Sequence, residues 1–141
     1  MLDISIRNAS LDDVTALIDF WRVNGDNGAT RTETPELVTQ LLNRDPDSII
    51  VAELGGEIVG TTIAGWDGWR AAIYRVAVRS DLKQSGIGRQ LINATVTRFR
   101  ELGAPKVGGI VLETNTGAQQ FYEKLGFVRE DNCRRWILEL N

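Results

Sequence analysis

Val76-Ala77-Val78-Arg79-Ser80-Asp81-Leu82-Lys83-Gln84-Ser85-Gly86-Ile87-Gly88-Arg89-Gln90-Leu91 is the stretch on which the reading of this chain turns. It begins as a strand, because Ile73, Tyr74, Val76 and Val78 are the β-branched and aromatic types that suit a pleated, largely buried surface. It ends as a helix, with Leu91, Ile92, Val96 and Phe99 at helical spacing. A short polar loop with two glycines joins the two. Glycine reaches backbone conformations that other residues avoid and lets other groups approach closely. The first turn of the following helix offers unpaired N–H groups and the positive end of the dipole. Together these features form a place for a phosphate or pyrophosphate, with Lys83 and Arg89 flanking it for charge-assisted contacts. A tight strand-to-helix turn with no ligand is the plainer reading of the same residues. Two familiar phosphate loops do not fit. There is no Gly-Lys-Ser/Thr ending, and no third glycine at the dinucleotide spacing.

On the N-terminal side of this stretch, Asp3 to Arg7 alternates as a first strand. Ser10 reads as an N-cap with Asp12 and Asp13 in the first turn, followed by a stripe of Val14, Leu17, Ile18 and Trp21. The stripe suits a core, although Trp21 lies near enough to the helix end to reach a pocket. Asn24 to Thr30 is a loop by composition, and Thr34-Pro35-Glu36 starts a second helix through Leu37, Val38, Leu41 and Leu42. This helix pair is either an acceptor wall or a plain covering layer. Ser48 to Leu54, the Gly55-Gly56 turn and Glu57 to Ala64 form a hairpin. Asp67-Gly68 marks a second tight turn before Ala71 to Val78. Beyond the loop, the central helix stops at Gly103-Ala104-Pro105, and Lys106 to Glu113 is a strand expected to run parallel to the one before the loop. Asn115 caps a short helix bearing Phe121 and Tyr122. Phe127-Val128 and Trp136 to Leu140 read as the last strands. Antiparallel strands followed by one strand–loop–helix unit give an α/β mixed sheet rather than a uniform alternation.

The 141 residues are expected to form a single domain, 1–141, that buries roughly two-thirds of its unfolded surface. Hydrophobic content of 43% and charged content of 25% fit a globular chain. A net charge of -3 argues against a nucleic-acid partner. No apolar run reaches membrane-span length, and Met1 leads almost directly into a strand without a signal-peptide pattern. With Cys133 the sole cysteine, no intrachain disulfide forms, and a cytoplasmic location is expected. The absence of histidine leaves Cys133 without an activator and removes the usual general base and most zinc sites, so no metal is expected.

Lys83-Gln84-Ser85-Gly86-Ile87-Gly88 resembles the Gln/Arg-x-x-Gly-x-Gly/Ala loop of the GNAT superfamily of acyl-CoA-dependent N-acyltransferases, with Lys83 in place of Gln or Arg. The family's second signature, an Asn followed by a helix, a Tyr and then Gly-Phe, is matched by Asn115, Tyr122, Gly126 and Phe127. Val76-Ala77-Val78-Arg79-Ser80 resembles its Leu-x-Val-x-Pro, with Ser80 in place of proline. Element order matches over nearly the whole chain.

The resemblance implies a GNAT-like fold, a central mostly antiparallel sheet with a splayed parallel strand pair and flanking helices. It implies acetyl-CoA as acyl donor and transfer to an amine of a small molecule or protein. It places the pantetheine arm on Val76-Ala77-Val78 and Asn115, and the pyrophosphate on Lys83, Gln84, Ser85, Gly86, Ile87, Gly88 and Arg89. Asn115 can serve as a helix cap as well. Tyr122 would protonate the leaving thiolate, a phenol near ~10 being protonated at neutral pH. The physics agrees: a splayed strand offers backbone groups to pantetheine amides, and N–H groups near Val76 can stabilise a developing oxyanion.

The general base is the departure. The stretch matching the family's fourth-strand glutamate is Ala71-Ala72-Ile73, and the position of a fifth-strand glutamate is Ile110, which weakens a protein N-terminal acetyltransferase reading. Glu113, Asp67 and Tyr74 remain, with Glu113 preferred. Because those glutamates are missing, a non-catalytic acyl-CoA sensor of the same fold is the alternative. Homodimers are common in the family. Trp66 and Trp69 either wall an acceptor pocket or pack across their hairpin.

Overall fold

Local sequence signals set the first helices. The computed structural model describes residues 2–25 and 33–140. Strand β1 (Ser5–Asn8) leads into a capping box in which Ser10 Oγ accepts from Asp12 N–H and Asp13 Oδ2 accepts from Ser10 N–H at 2.8 Å. A single 3-10 turn then runs into α1 (Val14–Asn24). Thr34 Oγ1 accepts from Leu37 N–H at 3.2 Å and Pro35 takes the first position of α2 (Pro35–Arg44). The loop read at 24–30 lies mostly outside the described residues.

Strands β2 (Ile49–Leu54), β3 (Glu57–Trp66), β4 (Ala71–Val78) and β5 (Val107–Gly109) join β1 in one five-stranded sheet of order β1-β2-β3-β4-β5. The first three pairings are antiparallel and β4–β5 is parallel. One face buries Ile49, Val51, Ile63 and Ala77 against Leu17, Phe20 and Trp21 of α1 and Val38 and Leu42 of α2. The helix pair is therefore a covering layer, and Trp21 is core. The other face takes α3 (Ile87–Glu101), whose Ile87, Leu91, Ile92 and Phe99 are buried. Gly60 of β3 permits this approach: a Cβ there would sit 2.9 Å from Leu91 Cδ1 and 3.1 Å from Ile87 Cγ2.

The chain divides into two compact units, Met1–Ile110 and Val111–Asn141. The second holds α4 (Thr116–Lys124). Two expectations fail in this region. The strand read at 106–113 is only Val107–Gly109, because Gly108-Gly109 and the exposed Ile110 offer little side-chain surface to hold a longer pairing. Residues 127–140 contain no strand, so Phe127-Val128 and Trp136 to Leu140 are not the final strands the sequence suggested. A strand exists through hydrogen bonds to a neighbour, and here alternation and propensity found none. Val128, Trp136 and Leu138 are 87%, 91% and 83% exposed.

Val at position 60 drives two γ-methyls into the Ile87–Leu91 turn. Gly60→Val should lower stability by about 1–3 kcal/mol, read as a lower urea midpoint at unchanged slope.

Candidate functional site

The β4–β5 ladder ends early. Its pairs are Ala71–Val107, Ala72–Gly108 and Ile73–Gly109, and β4 continues to Val78 with no strand partner on that side among the described residues. Which backbone groups face the open edge follows from the other ladder. Arg79 N–H donates to Val59 C=O at 2.9 Å, and the register runs Gly60–Val78, Thr61–Ala77. Antiparallel pairs alternate between bonded and non-bonded, so Ala77 turns its N–H and C=O to β3 and Val78 turns its own to the open edge. The side chain of Ala77 is buried in the core.

A bulge lies at the same place. Between Thr61–Ala77 and Ile63–Tyr74, the two residues Arg75 and Val76 of β4 oppose only Thr62 of β3. Arg75 is left-handed, with φ 51°. Thr61 Oγ1 donates to Arg75 C=O at 2.7 Å and accepts from Trp21 Nε1–H at 2.9 Å. The Arg75 guanidinium donates to Glu33 Oε2 at 2.6 Å. Arg75, Thr61 and Glu33 were missed in the sequence. The available signal was a parity switch: apolar positions run Ala71, Ile73 and then Val76, Val78, which a bulge-free strand would place on opposite faces.

The loop that follows is held open. Arg79 pairs with Asp81 at 2.7 Å and with Glu57 at 3.4 Å, anchoring its entry to β3. Ser85 Oγ donates to Leu82 C=O. Gln84 and Gly86 are both left-handed, at φ 65° and 91°. Gly86 caps α3 with no side-chain hydrogen bond, and the first intrahelical bond is Gln90 N–H to Gly86 C=O at 3.1 Å. The N–H groups of Ile87, Gly88 and Arg89 therefore head the helix without a cap. The space over Gly86 is open: a Cβ there would meet nothing within 4 Å. Lys83 and Arg89 are exposed beside it and form no ion pair among the described residues. This is a donor set suited to a diphosphate.

In the second unit, Asn115 Oδ1 accepts from Ala118 N–H at 3.0 Å and starts α4. The helix ends in a Schellman closure: Phe127 N–H donates to Tyr122 C=O and Gly126 N–H to Glu123 C=O, each at 3.0 Å, with Gly126 at φ 92°. That closure folds Phe127 back on Tyr122, ring centroids 5.1 Å apart, while Phe121 flanks it at 5.2 Å. The spacing Tyr122…Gly126-Phe127 is thus a local folding unit. Burial pushes the Tyr122 phenol up to about 12. Glu113 is exposed, and its backbone C=O accepts from Gln119 Nε2 at 2.8 Å.

Among the other base candidates, Asp67 accepts from the N–H groups of Arg70 and Trp69, which hold its carboxyl below the usual range. It is a turn residue and a weak base. Burial raises the Tyr74 phenol, with a contribution from the charge of Asp45. Trp69 is exposed rather than packed across the hairpin. Among the described residues no group of acidic or cysteine side chains could hold a metal, and no helix is long and apolar enough to cross a membrane.

The chain has only two tyrosines, and both phenols are raised. Ultraviolet titration should show less than half of the full tyrosinate signal at pH 10, with Tyr122→Phe removing the step near pH 12. Because the folded-state pKa lies above the unfolded one, Tyr122 contributes stability below pH ~10. That contribution should fade as pH rises toward about 12.

Comparison with known proteins matches the same elements. A sequence model of the Acetyltransferase (GNAT) family matches residues 14–127. An acetyltransferase of Pectobacterium atrosepticum is 34% identical over 129 residues, 91% of this chain and 90% of that protein. Ard1 from Thermoplasma volcanium superposes with a TM-score of 0.76 at 27% identity, over 89% of this chain and 82% of that one. The PaiA N-acetyltransferase from Thermoplasma acidophilum, solved in complex with coenzyme A, has the same fold with a TM-score of 0.80 at 19% identity, over 94% of each chain. An extended motif match, close relatives of nearly equal length and a shared fold agree, and the chain belongs to the GNAT acetyltransferase family.

Proposed function

We propose that this chain is an acetyl-CoA-dependent N-acetyltransferase that moves an acetyl group to a primary amine by direct attack on the thioester. The observation carrying the reading is the unpaired β4 edge that leads into an uncapped helix start. Val78 turns its N–H and C=O to that edge, and the N–H groups of Ile87, Gly88 and Arg89 follow within one turn of Gly86. An edge with extended main-chain donors and acceptors suits the amides of a pantetheine arm. The helix start, flanked by Lys83 and Arg89, suits the pyrophosphate. Coenzyme A as the bound form in the PaiA protein supports the donor.

When bound, acetyl-CoA supplies an activated acyl carbon and a thiolate leaving group. The chain's part is to hold the donor, polarise its carbonyl from the Val76 N–H and manage two protons. Glu113 takes a proton from the bound ammonium, directly or through water, and the neutral amine so formed attacks the thioester carbon. Tyr122 gives its phenolic proton to the departing sulfur. A phenol held near 12 is a weaker acid than a thiol at ~8.5, so this transfer runs forward only when coupled to proton loss from the newly acylated nitrogen.

The missing strand glutamates favour a second reading, a binding module that holds the acyl donor without turnover. Two measurements decide between them. Acetyl-CoA at 100 times its Kd should stabilise the fold by about 2.7 kcal/mol, seen as a rise in Tm, and no rise at millimolar donor counts against both readings. Free thiol should appear when acetyl-CoA is offered with a panel of small amines, amino acids, aminoglycosides and peptides. Tyr122→Phe should then cut kcat by about 100-fold or more and leave donor affinity unchanged. A donor-binding protein with no thiol release across the panel is the sensor.

A further inference from the structure

The bulge in β4 is held by groups outside the donor site, and their geometry fixes one N–H. Arg75 and Val76 share a trans peptide plane, the described residues containing no cis bond. In such a plane C=O and N–H point in opposite directions. Arg75 C=O is bonded to Thr61 Oγ1, so Val76 N–H is directed away from Thr61 and β3. That is the side on which β4 has lost its partner.

Thr61 is fully buried, and its hydroxyl has its single proton committed to Arg75 because Trp21 Nε1–H, a donor only, already occupies one of its lone pairs. The indole thus fixes the direction in which the hydroxyl donates. The side chain of Arg75 is held as well, by the Glu33 carboxylate. A non-glycine residue at φ 51° is strained, and it persists only where the surroundings over-determine it.

The geometry points to Trp21 and Thr61 as positioning residues: their hydrogen-bond relay sets the Arg75–Val76 peptide so that Val76 N–H meets the acyl carbonyl of the donor. This rests on the donor site proposed above and adds to it two core residues that touch no substrate. Neither is marked by the glycine loop or by the Asn…Tyr…Gly-Phe signature.

The test reads the carbonyl itself and needs no acceptor. [1-13C]Acetyl-CoA is added to the full chain, and the carbonyl resonance is compared free and bound. Wild type should move it downfield, as a hydrogen bond to the oxygen does. Thr61→Val keeps the shape and removes the hydroxyl. It should abolish most of the shift and leave the calorimetric Kd for acetyl-CoA within about twofold, a change of about 0.4 kcal/mol. Thr61→Ser restores the hydroxyl and should restore the shift, which a purely packing role would not do. Should Thr61→Val fail to fold, Thr61→Ala removes the same donor. A shift that survives loss of the hydroxyl overturns the relay and leaves the donor site standing. Binding without a shift in wild type overturns Val76 as carbonyl donor. No binding in wild type overturns both this assignment and the transferase reading.

Discussion

Three ladder pairs decide what this sheet can do. Strand β4 is eight residues long, and β5 accompanies it only as far as Ile73. Main-chain polar groups are obligatory hydrogen-bonders, and a run left bare at a sheet edge must find water or a ligand. The bare run here is flanked on its other side by an antiparallel ladder to β3, interrupted at the bulge, and leads on to the start of α3. The edge is thus rigidly backed and open at once, which is what recognition by main-chain groups requires. Parallel pairing contributes to this: β4 and β5 are joined through α3, not through a hairpin that would zip them to their ends.

Rigidity on the backed side comes from close packing at two points. Gly60 lets the first turn of α3 press onto β3, opposite Val78. On the other face, Trp21 and Thr61 reach the bulge from within the core. The helix start and the bulge are therefore both seated on β3, the central strand of the sheet. A shift in either would have to move fully buried Leu91 or Trp21, and close-packed interiors resist that.

Much of this was legible in the sequence, for physical reasons. The caps at Ser10 and Thr34, the Gly55-Gly56 turn and the Val76–Leu91 stretch are local, so residue types alone report them. The early end of the β4–β5 ladder was anticipated through the family likeness, and Gly108-Gly109 gives it a cause. The bulge was not read, because it depends on register between strands and on a threonine fourteen positions away. Residues 127–140 were over-read, since alternation says which side chains match a strand and nothing about whether a neighbour is there to bond it. The spacing between Tyr122 and Phe127 was read only as a family mark. Its physical content, a helix closure that sets the two rings edge to face, lies in backbone hydrogen bonds that residue spacing alone does not name.

The uncapped start of α3 has a consequence for how this chain can drift. Its donors are amides of Ile87, Gly88 and Arg89, which every residue but proline carries, and the shape that exposes them needs a permissive backbone at Gly86 alone among the glycines of that turn. Gln84 and Ser85 can change their side chains while the amide array persists. A surface written in main chain is insensitive to spelling, so relatives with only a fifth to a third of their letters in common can keep one outline.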